Sequence, residues 1–175
     1  PAAMSAASPS DLILVRPGTY SGFNSSKGVT IIAEPGAQLG VTQFIRIEDL
    51  PSFRRFVISG LAIRHLVFLR CEGKVVVTDM SAPAGTDFAF ISATECADVR
   101  IARCDLVSSF LGAVYANAST VEVVDSNLVG DHGYFDGYWG THGRPGLLLD
   151  NGSVGRVMLC NLQGGVGGDC SSGFT

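Results

Sequence analysis

The sequence predicts an all-β chain wound as a right-handed parallel β-helix. Three observations carry that expectation. A seven-residue pattern recurs five times, the copies are spaced like turns of a solenoid, and the apolar runs are short, β-branched and bounded by Gly, Asn and Asp. The copies are RFVISGL from Arg55, KVVVTDM from Lys74, RIARCDL from Arg100, EVVDSNL from Glu122 and RVMLCNL from Arg156.

Read as columns, the copies suggest a geometry. The first column is charged (Arg55, Lys74, Arg100, Glu122, Arg156), and the second is apolar throughout. The fifth holds small residues (Ser59, Thr78, Cys104, Ser126, Cys160), and the seventh is long and apolar. The sixth holds Gly60, Asp79, Asp105, Asn127 and Asn161, residue types that tolerate a left-handed backbone, so it is expected to turn the corner. From Gly60 to Asp79 is 19 residues (79 − 60 = 19), and the next intervals are 26, 22 and 34. That irregular period suits one coil of a solenoid, with equivalent residues stacked about 4.8 Å apart. About six or seven coils are expected from the repeat count.

A chain of 175 residues with 46% apolar content is one domain by size, spanning 1–175. Its 22 glycines and 16% charged residues suit a chain that turns often, so helix is expected to be scarce. Net charge is −4 and no Lys/Arg cluster exceeds Arg54-Arg55, which argues against nucleic acid. Apolar runs such as Leu12 to Val15 are far shorter than the roughly 18 residues of a membrane-spanning helix, so no membrane is expected.

Residues 1–10 read as a short helical cap ended by Ser8-Pro9-Ser10. Strands are expected at Asp11 to Val15, Val29 to Ala33 and Gln43 to Ile47. Second strands of later coils are expected at Ala62 to Arg70, Phe88 to Ser92, Ala113 to Ala116 and Gly146 to Leu149. Residues 163–175 form a Gly-rich end with no polar cap after Leu162. The expectation there is either further chain or a covering subunit, hence a homo-oligomer or a coil-end contact.

The five cysteines, an odd number, do not make a closed disulfide framework. Cys104 and Cys160, in the small column, are expected to be packed free thiols. Cys71 and Cys96 precede adjacent copies by three and four residues, so with one residue of slippage they would stack within disulfide reach.

The segment DLILVRPGTYSGF, followed some ten residues on by VTIIAEPGA, resembles the opening of proteins of the pectin-lyase-like right-handed β-helix superfamily. That resemblance implies the fold and a capping helix, and it leaves the chemistry open, since the superfamily includes lyases, hydrolases, fibres and adhesins. The double-glycine turns near the end are similar to those of β-helix proteins on bacterial surfaces, which implies a secreted or cell-surface location.

Function is expected where the repeat is interrupted. The insertion at 130–145 carries the only tryptophan, two tyrosines, two histidines and two aspartates. Its aromatics Tyr134, Tyr138 and Trp139, with His142, would stack on a sugar, while Asp131, Asp136 and Arg144 bond its hydroxyls or carboxylates. The bland alternative is an ordered loop covering the coil beneath.

A polysaccharide lyase or glycoside hydrolase would recruit Asp131, His132, Asp136 and Arg144. The Asn-Thr-Asp, Asp-Asp, Gly-His-Gly and Arg-Ile-Lys motifs of polygalacturonase-type β-helices are absent, and Arg144-Pro145 is at most a remnant of the pectate lyase segment. These absences argue against the well-known chemistries of the superfamily. No metal motif and no cofactor fingerprint occurs. His65, in a strand with apolar neighbours, is expected to be structural. The remaining candidate is the charged column, which would form a largely basic outer stripe if Arg55, Lys74, Arg100 and Arg156 stacked. The expected role is thus an extracellular module, structural or carbohydrate-binding, with a polysaccharide as its partner; a segment of a larger surface or fibre protein is the third reading.

Overall fold

The computed structural model describes residues 2–40, 42–83, 89–107, 112–131 and 143–165. After helix α1 (Ala2–Ala6), β1 (Leu12–Val15), β2 (Gly18–Tyr20), β3 (Phe23–Ser25), β4 (Thr30–Ala33), β5 (Ala37–Leu39) and β6 (Phe44–Glu48) follow. The middle of the chain supplies β7 (Arg55–Ser59), β8 (His65–Leu69), β9 (Lys74–Thr78), β10 (Phe90–Thr94), β11 (Asp98–Ala102) and β12 (Asp105–Val107). The last strands are β13 (Val114–Asn117), β14 (Thr120–Val124), β15 (Asn127–Val129), β16 (Leu147–Asp150), β17 (Val154–Met158) and β18 (Asn161–Gln163).

These strands form a parallel β-solenoid. One sheet runs β1-β4-β7-β9-β11-β14-β17 and a second runs β3-β6-β8-β10-β13-β16, while β2-β5 and β12-β15-β18 share the third side. Each coil visits the sheets in the same order, so every strand pairs with its equivalents before and after. Strands Leu12–Val15, Thr30–Ala33, Phe44–Glu48, His65–Leu69 and Phe90–Thr94 lie where alternation and turn residues place them, within two or three residues. The repeat suits two or three short strands per coil, but the third-side strands could not be placed from sequence, because three residues carry no alternation.

Alternate residues of each strand face inward. The second sheet contributes Ile45, Leu66, Ile91 and Val114 as one buried row and Ile47, Phe68, Ala93 and Ala116 as the next. The first sheet answers with Phe56, Val75, Val99 and Val121, and with Ile58, Val77, Ile101 and Val123. Phe56 and Phe68 meet across the interior edge to face, centroids 6.3 Å apart. Met4 from α1 joins the same core.

The register corrects the column reading. Arg55 stacks on Lys74, but Lys74 stacks on Asp98, and Arg100 stacks on Val76. Copies three to five are therefore displaced by two residues relative to copies one and two. The supposed basic stripe does not form. Its members separate into one row of Arg55, Lys74, Asp98, Thr120 and Val154 and another of Val57, Val76, Arg100, Glu122 and Arg156. Within these rows opposite charges adjoin: Lys74 with Asp98 at 3.2 Å, and Glu122 between Arg100 at 3.5 Å and Arg156 at 3.9 Å. A slip of two preserves which side chains face inward, so hydrophobic alternation cannot choose between the two registers.

The corner shifts with it. Left-handed φ angles occur at Gly60 (75°), Asp79 (57°), Arg103 (52°), Asp125 (48°) and Leu159 (54°), whereas Asp105, Asn127 and Asn161 open β12, β15 and β18. A second left-handed column follows the second sheet at Asp49, Arg70, Glu95, Ala118 and Asn151. Each such residue costs about 1–2 kcal/mol unless it is Gly or Asn/Asp. Stacking offsets that cost, because the corner N–H groups of all but the last coil bond the coil beyond, as Arg103 N–H does with Val124 O (3.1 Å) and Glu95 N–H with Asn117 O (2.9 Å).

The corner columns also alternate in charge. Arg103 forms two bonds of 2.8 Å to Asp79 and feels Asp125 on its other side; Arg70 bonds Asp49 at 2.7 and 3.1 Å and feels Glu95. The arginines hold Asp49 and Asp79 below the usual carboxylate range, chiefly through these hydrogen bonds.

Beside the corners run rows of small residues. Ser119 Oγ accepts from Cys96 N–H (2.9 Å) and donates to Asn117 O (2.8 Å), and Ser126 does the same between Cys104 N–H (3.1 Å) and Val124 O (2.8 Å). Asparagines stack likewise, with Asn127 bonding Asp105 at 2.8 Å and Asn161 bonding Asn127 at 2.9 Å. Cys71, Cys96, Cys104 and Cys160 are all free thiols in this structure, and burial pushes Cys104 up to about 11.

Candidate functional site: the outer face of the second sheet

Of the residues expected to bind or react, the structure describes Asp131 and Arg144. Arg144 N–H donates to Asp131 O at 2.8 Å, so the chain returns to the solenoid at the point where it leaves. Arg144 O in turn accepts from Gly165 N–H (2.8 Å), and Gly130 N–H donates to Gln163 O. Gly130 is required here, since a Cβ would lie 1.8 Å from Arg144 O. The two residues are thus joined through backbone, with Arg144 exposed and Asp131 half-buried. His132, Tyr134, Asp136, Tyr138, Trp139 and His142 lie outside the described residues, and so does any spacing between Asp131 and Asp136.

Connectivity places this insertion in a larger pattern. It joins the third side to the second sheet, between β15 and β16. The connection from Ser81 to β10 and that from β12 to β13 occupy the same corner of earlier coils. The two longest connections between described strands, after β9 and after β15, therefore both enter the second sheet along one edge, where loops on a rigid scaffold most often carry binding.

The outer face of that sheet presents three rows of its own. Phe44, His65 and Phe90 stack in register as one. Arg46, Val67, Ser92, Tyr115 and Leu148 make the second, and Glu48, Leu69, Thr94, Asn117 and Asp150 the third. Phe44 is 44% exposed while His65 and Phe90 are half-buried, their rings 4.4 Å apart and tilted by 52°. Arg46 pairs with Glu48 at 3.1 Å, and Asn117 donates to the Tyr115 hydroxyl at 3.0 Å. Amphipathic rings beside fixed polar groups can hold a ligand with one apolar face and several hydroxyls.

His65, whose apolar neighbours give the expectation of a structural histidine, is half-buried in this row with its ring packed on Phe90. The row was legible only by aligning the second strands, FIRIE, HLVFL and FISAT, each of which opens on Phe or His.

Burial, assisted by the charge of Arg64, holds His65 below its usual value of 6.5, so it is neutral at pH 7. The unfolded chain binds this proton more readily than the folded one. The resulting stability is present above pH 6.5 and is lost as pH falls through the folded value. Urea midpoints are expected to fall between pH 7 and pH 5, and His65→Phe is expected to flatten that slope. The Asp49 and Asp79 contributions belong to a lower window, because both groups stay ionised until pH drops below their usual 3.8. An unchanged slope in the variant contradicts this assignment.

Among the described residues no group of His, Cys, Asp or Glu is placed to hold a metal ion, and no helix is long and apolar enough to cross a membrane. No protein-family model, curated protein or solved structure matches the chain.

Proposed function

We propose that the chain is a glycan-binding module, secreted or displayed on a bacterial cell surface, which holds a polysaccharide against the outer face of its second sheet. The solenoid is read as a right-handed, pectin-lyase-like β-helix of six or seven coils. Support for its hand is general: crossovers between parallel strands of one sheet are right-handed in about 98% of cases. The coil number rests on the seven strands of the first sheet.

The observation that carries the function is a convergence. The row of Phe44, His65 and Phe90, flanked by polar rows, borders the edge at which the two longest connections enter, including the one rich in tyrosine, tryptophan and histidine. Rings repeating at the coil spacing of about 4.8 Å offer successive contacts to a chain of sugars lying along the solenoid axis.

Affinity electrophoresis against polygalacturonate, alginate and neutral glycans tests the proposal. Retardation by at least one glycan is expected, and Phe90→Ala and Trp139→Ala are each expected to weaken it about tenfold. If neither substitution alters binding, the assigned surface is wrong. Shortening of the glycan during the assay favours a lyase or hydrolase instead, with Asp131 and Arg144 as the first residues to replace.

A further inference from the structure

Cys71 and Cys96 are 25 residues apart in the chain (96 − 71 = 25) and equivalent in space. The pairing of β8 with β10 ends with Leu69 on Thr94, and the ladder continues beyond it: Arg70 N–H donates to Thr94 O and Ala97 N–H to Cys71 O, both at 2.9 Å. The one residue of slippage this needs is present, since five positions separate Leu69 from Lys74 (74 − 69 = 5) and four separate Thr94 from Asp98 (98 − 94 = 4). Left-handed turns at Arg70 and Glu95 then aim both side chains inward, where Cys71 is 0% and Cys96 2% exposed.

Stacking sets the Cα atoms about 4.8 Å apart, inside the range of about 4.4–6.8 Å that disulfides span. The Cys71 thiol donates to Leu69 O (3.5 Å) and the Cys96 thiol to Thr94 O (3.3 Å), and the influence of each sulfur on the other pushes Cys71 up and draws Cys96 down to about 7, so Cys96 ionises first. The same row continues as Ser119 and Ser153, with Ser119 N–H bonding Ser153 Oγ at 3.1 Å. A hydroxyl therefore fills this place well, and cysteine is not needed to make the row. In the other small row Cys104 and Cys160 are separated by Ser126 and lie two coils apart, beyond disulfide reach.

We infer that Cys71 and Cys96 form a disulfide that clips two consecutive coils together when the chain folds in the presence of a small-molecule disulfide. The reaction is thiol–disulfide exchange. The Cys96 thiolate attacks one sulfur of the oxidant and releases one thiol. The Cys71 thiolate then attacks the Cys96 sulfur and releases the second. The pair loses two protons and two electrons as one disulfide is reduced to two thiols. Both sulfurs are buried, so the exchange precedes closure of the coil.

The test is refolding of the full chain with oxidised and reduced glutathione, and in parallel with dithiothreitol. Thiol titration after denaturation is expected to find three of the five cysteines free in the first sample and all five in the second. Non-reducing peptide mapping should join the Cys71 and Cys96 peptides. The oxidised form is expected to melt about 5–10 °C higher, a gap that closes in Cys96→Ser and in Cys71→Ser, where serine keeps the row intact. Five free thiols after oxidative refolding, a bridge between any other pair, or no difference in melting overturns the inference.

Discussion

Phe68→Ala is expected to lower the free energy of unfolding by about 3–5 kcal/mol. Phe68 is fully buried, lies in a row with Ile47 and Ala93, and packs edge to face on Phe56 at 6.3 Å. The alanines at 93 and 116 in its row cannot extend into the space a lost ring leaves. The strands above and below are tied in register, which limits collapse, and so the substitution falls at the costly end of its class. Chemical denaturation followed by far-ultraviolet circular dichroism measures the loss. Phe68→Leu should cost about 1 kcal/mol, and a double-mutant cycle with Phe56→Leu should show a coupling of about 0.5–1.5 kcal/mol. A loss below about 1 kcal/mol for Phe68→Ala would mean that this ring does not fill the interior as described.

The second large effect is expected at the base of the insertion. An alanine Cβ at position 130 would meet Arg144 O at 1.8 Å and Gly165 N at 2.7 Å. Gly130→Ala therefore has to displace Arg144, breaking the bonds from Arg144 N–H to Asp131 O and from Gly165 N–H to Arg144 O. At about 1–3 kcal/mol for each backbone group left unpaired, the base of the insertion should open while the coils around β8 and β10 remain folded. Hydrogen exchange reports this directly: the amides of Arg144 and Gly165 are expected to exchange at least tenfold faster. Gly164→Ala is the control, because nothing lies within 4 Å of the Cβ it would add. Unchanged exchange at Arg144 in Gly130→Ala contradicts the described closure.

The two predictions differ in how far the sequence alone foresaw them. Phe56 and Phe68 belong to strands whose alternation marks their inward residues, so the core was legible from one chain. Register was not. Arg55 and Arg100 share a place in the repeated heptapeptide and stand in different rows, because a two-residue slip leaves the buried set unchanged and is decided by corner hydrogen bonds. Arg103 and Ala118 adopt left-handed backbones that their side chains do not favour, and their corners are held by neighbouring coils rather than by local preference. For the same reason Asp105, Asn127 and Asn161, which look like corner residues, serve instead as a side-chain ladder at the start of the third-side strands.

The candidate site was legible in part. Composition singled out the 130–145 insertion, and the bond between Arg144 and Asp131 gives it a closed base. Phe44, His65 and Phe90 were hidden by intervals of 21 and 25 residues (65 − 44 = 21; 90 − 65 = 25), which no local pattern links. Only the stacking of β6, β8 and β10 brings them together, beside the edge where the insertion enters.

Binding along that edge is tested most directly by isothermal titration of the glycan retained in the screen against wild type, Phe44→Ala/Phe90→Ala and Arg55→Ala. Arg55 is exposed on the first sheet and leaves the proposed surface intact. The double variant should fold normally and lose at least about tenfold in affinity, with Arg55→Ala matching wild type. Wild-type affinity in the double variant, or an equal loss in Arg55→Ala, would contradict a glycan surface on the second sheet.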